Sequence, residues 1–276
     1  MSTSFSPRDL FYDERYSRWT AWLVPVLVLG VWELLVDSHI VPVQILPAPR
    51  SVLQAFVRLT RSGELGTHLR ASFQRAALGF VVGGSVGFVL GFANGISRVS
   101  EVLFDSPMQM IRNIPHLALL PLVILWFGIG EESKVFLVAL GAVFPIYVNT
   151  FHGIRAIDPG LLELAKIYQL PRRKVLTDIV VPGALPSVLL GVRYALGITW
   201  LTLIVAETIA ARSGVGFMAM NAREFLETDV VVLSILLYAM FGKGADSVAR
   251  LLERRLLPWH HTQQDETPGD RRYGLS

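Results

Sequence analysis

Residues 153–182 read GIRAIDPGLLELAKIYQLPRRKVLTDIVVP. These 30 residues carry five basic side chains, Arg155, Lys166, Arg172, Arg173 and Lys174, and lie between two apolar blocks. Residues 135–154 hold no charge, and residues 184–210 hold only Arg193 and Glu207. A bilayer core takes about 20 apolar residues per helix, so both blocks are long enough to span, and the stretch between them belongs in water. Asp158-Pro159 is a helix start, with Asp as the N-cap and Pro at the first helical position. Leu161, Leu162, Ala165, Tyr168 and Gln169 continue that helix, and Pro171 stops it beside Arg172-Arg173-Lys174. A second short helix over 175–181 is predicted to end at Pro182-Gly183. Two short helices with an elbow make a knob that a partner's groove can hold. An ordinary amphipathic surface loop is the other reading of the same spacing.

Working outward, residues 76–97 are uncharged, and 107–130 are apolar with one early charge, Arg112. Residues 230–249 are apolar with Lys243 and Asp246 near the end, and 19–36 are apolar with Glu33. With the two flanking blocks this gives six expected spans: 19–36, 76–97, 107–130, 135–154, 184–210 and 230–249. The expected fold class is an all-α integral membrane protein with a short tail over 1–18. A transmembrane domain covers 19–257, and a polar, disordered tail covers 258–276. No small-residue cleavage pattern follows the first span (Asp37, Ser38, His39), so it reads as a retained helix.

The composition agrees. The chain has 276 residues, 52% hydrophobic and 17% charged, with a mean hydropathy of +0.49. Soluble domains carry about 25% charged residues. The 15 Lys and Arg in segments 1–18, 97–106, 153–182 and 243–276 outnumber the 7 in segments 37–72, 131–134 and 208–229. The positive-inside rule therefore puts both termini and the 153–182 loop in the cytoplasm. The first outer loop is the exception, with Arg50, Arg58, Arg61 and Arg70. There Val52, Leu53, Phe56, Val57 and Leu59 predict an amphipathic helix along the membrane surface, its arginines snorkelling to lipid headgroups. Nucleic acid is not an expected partner, because the basic residues sit beside spans.

Within the spans, Gly79, Gly83, Gly87, Gly91 and Gly95 recur every four residues. Small residues at this spacing let another backbone come close, either within one subunit or across a dimer. Gly83-Gly84-Ser85-Val86-Gly87 matches G-x-S-x-G by coincidence, since no strand, histidine or acid partner accompanies it. Pro115, Pro121, Pro145 and Pro186 predict kinks. Ionisable groups in a membrane cost about 2.5–3.5 kcal/mol each and are functional candidates. Arg193 and Glu207 qualify. Fourteen positions apart on one helix, they are about 21 Å apart by rise and cannot pair directly. Arg193 is expected towards the inner interface and Glu207 near the outer end. No metal site is predicted: the chain has no cysteine and no His-Glu-x-x-His. There is also no Walker A sequence, so no ATP-splitting site of that kind, and no catalytic residue is assigned.

The order Glu163, Ala165, Ile179, Val181 and Pro182 resembles the EAA loop of ABC importer permeases. Leu164 replaces the usual second alanine. Gln169 stands where a glycine with positive φ is usual, and Pro171 is the alternative source of the break. Residues 110–141, 144–155, 182–187, 199–232 and ILPAP at 45–49 look like the permease subunit of the aliphatic sulfonate importers, within the nitrate, sulfonate and taurine group. The resemblance covers roughly residues 20–257. It implies a type I ABC importer permease fold and a homodimer. It also implies two cytoplasmic ABC ATPase subunits that bind the ATP, so that the chain itself needs no cofactor. A periplasmic or lipid-anchored sulfonate-binding protein completes the implied system. The loop around Glu163 would then be the ATPase-coupling element, with Glu163 and Ala165 packed into the ATPase and Arg172, Arg173 and Lys174 beside it. A sulfonate is a permanent anion, so Asn113, His116, Arg193, Trp200 and Thr202 become candidates for its path, with Glu207 beside them.

Overall fold

The computed structural model describes residues 14–258; the expected tails fall mainly outside these residues. Among the described residues all regular structure is helical. The helices are α1 (Glu14–Asp37), α2 (Pro49–Ser62), α3 (Glu64–Ile96), α4 (Arg98–Arg112), α5 (Leu120–Phe127), α6 (Glu131–Arg155), α7 (Pro159–Ile167), α8 (Arg172–Lys174), α9 (Val181–Ala210), α10 (Val215–Glu224) and α11 (Thr228–Leu256). A 3-10 turn, His116–Leu119, precedes α5, and a π turn, Val175–Val180, precedes α9. Among the described residues, four helical segments are long and apolar enough to cross a membrane: Glu64–Ile96, Glu131–Arg155, Arg172–Ile209 and Thr228–Leu256. The pair Arg98–Arg112 and His116–Phe127 makes a fifth if the two count as one broken span. The first expected span lies within the 24 residues of α1.

One sequence expectation needs correction and two segments gain detail. Residues 107–130 carry the kink expected at Pro115 as a sharp break. The chain bends by 81° at the break after α4, because Pro115 removes a donor and the residue before a proline is pushed out of the helical region. Segment 97–106 is helical from Arg98 onward. Ser97 alone is non-helical, and its side chain accepts from the Ser100 amide to cap α4. The helix over 175–181 does not stop at Pro182. Val180 and Val181 on its N-terminal side keep helical dihedrals, so the π turn runs straight through Pro182 into the span.

The contacts divide the chain into two units, Met1–Leu65 with Met218–Ile235, and Gly66–Phe217 with Leu236–Ser276. In the first unit, Val52, Ala55 and Leu59 form the buried stripe of α2, and Gly63 closes it at φ 79°. Trp32 Nε1 donates to Pro47 O at 3.0 Å. Arg50 reaches Asp37 at 2.6 Å and Glu33 at 3.4 Å, while Arg58 lies 3.8 Å from Glu227 and 3.6 Å from Asp229. These two arginines therefore meet carboxylates of their own unit.

The second unit is built on α3, α6 and α9. The five spaced glycines of α3 all face α6. A Cβ built on Gly83 or Gly87 would collide with the Ala139 or Val143 carbonyl, and on Gly91 it would meet Tyr147 O at 2.6 Å. The pairs advance together along both helices (Gly79 with Val138, Gly95 with Ile154), so α3 and α6 run parallel. Contact between α6 and α9 runs the other way, from Gly153 with Ser187 to Gly141 with Thr202, so these two are antiparallel. Lipid offers no hydrophobic drive between apolar helices, and close backbone approach at small residues supplies dispersion contact instead. Small apolar clusters fill the remaining space: Ala142, Ile146 and Ala195 at mid-height, and Ile154, Val180 and Ala184 near the loop. Helix α4 is tied to this core by polar groups. Asn94 donates to Tyr147 Oη at 2.9 Å, Tyr147 donates to Asp105 at 2.9 Å, and Arg155 pairs with Glu101.

Candidate functional site

The loop between α6 and α9 is largely exposed. Asp158 caps α7 by accepting from the Gly160 amide at 2.8 Å, and Pro159 opens the helix. Ala165 is buried, whereas Leu161, Leu164, Ile167 and Tyr168 are exposed, as is Glu163. The helix ends in a Schellman arrangement: the Leu170 amide bonds Ala165 O at 2.9 Å and the Gln169 amide bonds Lys166 O at 3.0 Å. That geometry needs a left-handed residue, and Gln169 adopts it at φ 51°. Gln169 therefore makes the break itself. Pro171, the alternative, instead caps the following turn with φ −63°.

Two of the proposed contact residues are therefore separated by burial. Glu163 is free to meet a partner, but Ala165 packs into its own fold. Beside it, a groove of about 770 Å³ has Ile96 and Leu162 among its walls, with Lys166, Gln169 and Arg172 also lining it. Ile179 and Pro182 are half-buried in the following turns, while Val181 is 46% exposed.

The residues expected along a path do not form one surface. His116 Nε2 lies 2.9 Å from Thr202 Oγ1, and Gly141 fits between their helices. Asn113 is exposed at the break after α4. Trp200 is buried and stacks on Phe241, with ring centroids 4.7 Å apart. Arg193 is half-exposed and binds Asp246 at 2.8 Å.

Glu207 has no exposed side-chain surface. One oxygen accepts from Arg75 Nη1 at 2.7 Å, the other from the Gly216 amide at 3.0 Å and Tyr238 Oη at 3.1 Å, and Ser72 Oγ reaches both at 2.8 Å. Arg75, 3% exposed, continues to Glu131 and to Ser213, whose carbonyl it reaches at 2.6 Å. The Val215 amide donates to Ser72, and the Gly214 amide to His68 Nδ1. Gly214 has φ 110°, and a Cβ there would strike the Glu207 carboxylate. The network pins the turn after α9 to α3 and α6. Glu207 is thus fully engaged in hydrogen bonds within the second unit. Sequence reasoning did not single out Arg75, Ser72, Glu131 or Tyr238, and marked Asp246 only as a charge near the end of an apolar run. Only a charge at the mouth of an apolar run marked Arg75.

Fold and loop together define a multi-pass helical membrane protein with an exposed amphipathic helix, α7. Residues 79–258 match the family of binding-protein-dependent transport system inner membrane components, and the chain belongs to that family. It is 56% identical over 239 residues to the aliphatic sulfonates transport permease protein SsuC of Escherichia coli (strain K12), covering 87% of this chain and 91% of that one. It is 43% identical over 251 residues to the protein of the same name from Bacillus subtilis (strain 168), covering 91% of each. The crystal structure of an amino acid ABC transporter with histidines shares the fold, with a TM-score of 0.59 over 74% of this chain and 96% of that chain, at 17% identity. The fold is that of the type I ABC importer permeases, and the chain is a multi-pass component of the inner membrane.

Proposed function

We propose that this chain is the permease of an ABC importer for aliphatic sulfonates. The observation that carries the substrate is the 56% identity to SsuC over 87% of the chain. The reading makes the chain a homodimer with both termini in the cytoplasm, supported by the excess of basic residues in the segments on that side. Two ATPase subunits bind and hydrolyse ATP, and a binding protein delivers the anion from outside. The exposed face of α7, with Leu161, Glu163, Leu164, Ile167 and Tyr168, lies in an ATPase groove as an amphipathic helix does. ATP-driven closure of the ATPases, passed through α7 and the Gln169 turn, swings the spans between inward-facing and outward-facing states. Discrimination between anions rests chiefly with the binding protein.

The test is uptake of labelled ethanesulfonate, taurine and nitrate by cells with and without the chain. Loss of ethanesulfonate uptake on deletion, restored by the gene, is expected. Loss confined to taurine or nitrate would replace the substrate and keep the importer.

A further inference from the structure

Charges on the membrane-facing part of the second unit are few, and three of them meet at one point. Arg193 of α9 binds Asp246 of α11 through Nε at 2.9 Å and Nη2 at 2.8 Å. Arg250, one turn further along α11, binds the other Asp246 oxygen at 2.7 Å. Two guanidinium groups thus share one carboxylate, leaving one positive charge in excess. The cluster is not sealed: the side chains of Arg193, Asp246 and Arg250 are 39%, 31% and 42% exposed. Lys243, one turn before Asp246, is exposed as well. Arg193 is twelve residues into α9, about 18 Å from its start by helical rise. Half-exposed charges on an apolar span face water or a subunit boundary, because lipid would cost about 2.5–3.5 kcal/mol for each.

The surface next to the cluster is bare. Pairing of Arg193 with Asp246 and of Trp200 with Phe241 shows that α9 and α11 run antiparallel. One turn from the cluster in the same direction, α9 carries Gly197 and α11 carries Gly242. A Cβ on either would meet nothing within 4 Å. The two arginines therefore border a strip of open backbone between two spans.

We infer that Arg193 and Arg250 form a transient binding site for the transported oxyanion, in which Asp246 stands in for the anion and is displaced by it. This rests on the importer reading above and assigns that reading a contact site. Guanidinium groups hold carboxylate and sulfonate oxygens by the same charge-assisted hydrogen bonds. An internal carboxylate competing for them keeps the site from trapping its cargo, since conduction needs binding strong enough to enter and weak enough to leave.

The experiment is equilibrium binding of labelled ethanesulfonate and of inorganic sulfate to the full chain in lipid nanodiscs. Asp246→Asn and Arg193→Gln break the same ion pair, so a purely structural bridge predicts equal effects. The site predicts opposite ones. Asp246→Asn removes the competitor and tightens anion binding about tenfold, whereas Arg193→Gln removes one charged donor and weakens it about tenfold. Arg250→Gln leaves the bridge between α9 and α11 intact and also weakens binding, so the test survives if one variant fails to fold. Equal weakening in all variants, or no anion binding to the wild-type chain, overturns the inference. Opposite responses with sulfate but no ethanesulfonate binding would keep the anion site and overturn the substrate.

Discussion

Glu207 and Arg193 lie on the same helix and look alike in sequence, yet their surroundings give them different work. Glu207 is enclosed and receives hydrogen bonds from Arg75, Ser72, Tyr238 and the Gly216 amide. Every lone pair it could offer a ligand is engaged. Arg193 is half-open and shares its partner with a second arginine. Removing one member of a buried pair leaves an uncompensated charge and costs about 3–5 kcal/mol, while replacing both by apolar groups costs far less. Arg75→Met should therefore lower the thermal unfolding temperature in detergent markedly, and Arg75→Met with Glu207→Leu should recover much of the loss. A double variant as unstable as the sum of its parts would show that the two side chains do not act as one unit.

At the scale of the helix, the loop from α7 to α9 depends on one unusual backbone conformation. Gln169 holds the left-handed position of the Schellman turn at φ 51°, where a residue with a Cβ is strained by roughly 1–2 kcal/mol. Gln169→Gly should stabilise the turn by about 1 kcal/mol, seen as a roughly fivefold slowing of amide exchange at Gln169 and Leu170. Unchanged or faster exchange there would mean that the glutamine side chain compensates the strain. The sequence singled out this position by its departure from the usual glycine. It did not reveal that Pro171 leaves the break alone, because a proline tolerated at a helix start and a proline that stops a helix read the same. The glycine row of α3 was legible as a close-approach surface, but its partner was not, since α6 lies some sixty residues further along the chain.

For the molecule as a whole, the proposed function depends on coupling between the exposed helix α7 and the spans. Glu163 is exposed on α7, while Ala165, two positions on, is buried. A change at Glu163 should therefore spare the fold and touch the partner. Glu163→Lys is expected to leave membrane insertion and the yield of folded chain unchanged while abolishing ethanesulfonate uptake and co-purification with an ATPase. Wild-type uptake in that variant would remove α7 from the coupling route. An unfolded variant would show that Glu163 supports the loop itself.

Apolar run length and basic loops, both local quantities, determined by themselves that this chain is a helical membrane protein with a structured polar loop between two spans. The Asp158 cap and the start of α7 were equally local, because a cap is read within four residues. Only the tertiary structure decided which charges are sealed and which are open. Arg75 meets Glu207 across 132 positions and Arg193 meets Asp246 across 53. Burial of a charge is set by whatever packs around it, and that comes from helices remote in sequence. The bend after α4 and the smooth run through Pro182 were settled in the same way, by neighbours that stabilise or relieve a break that proline alone only permits.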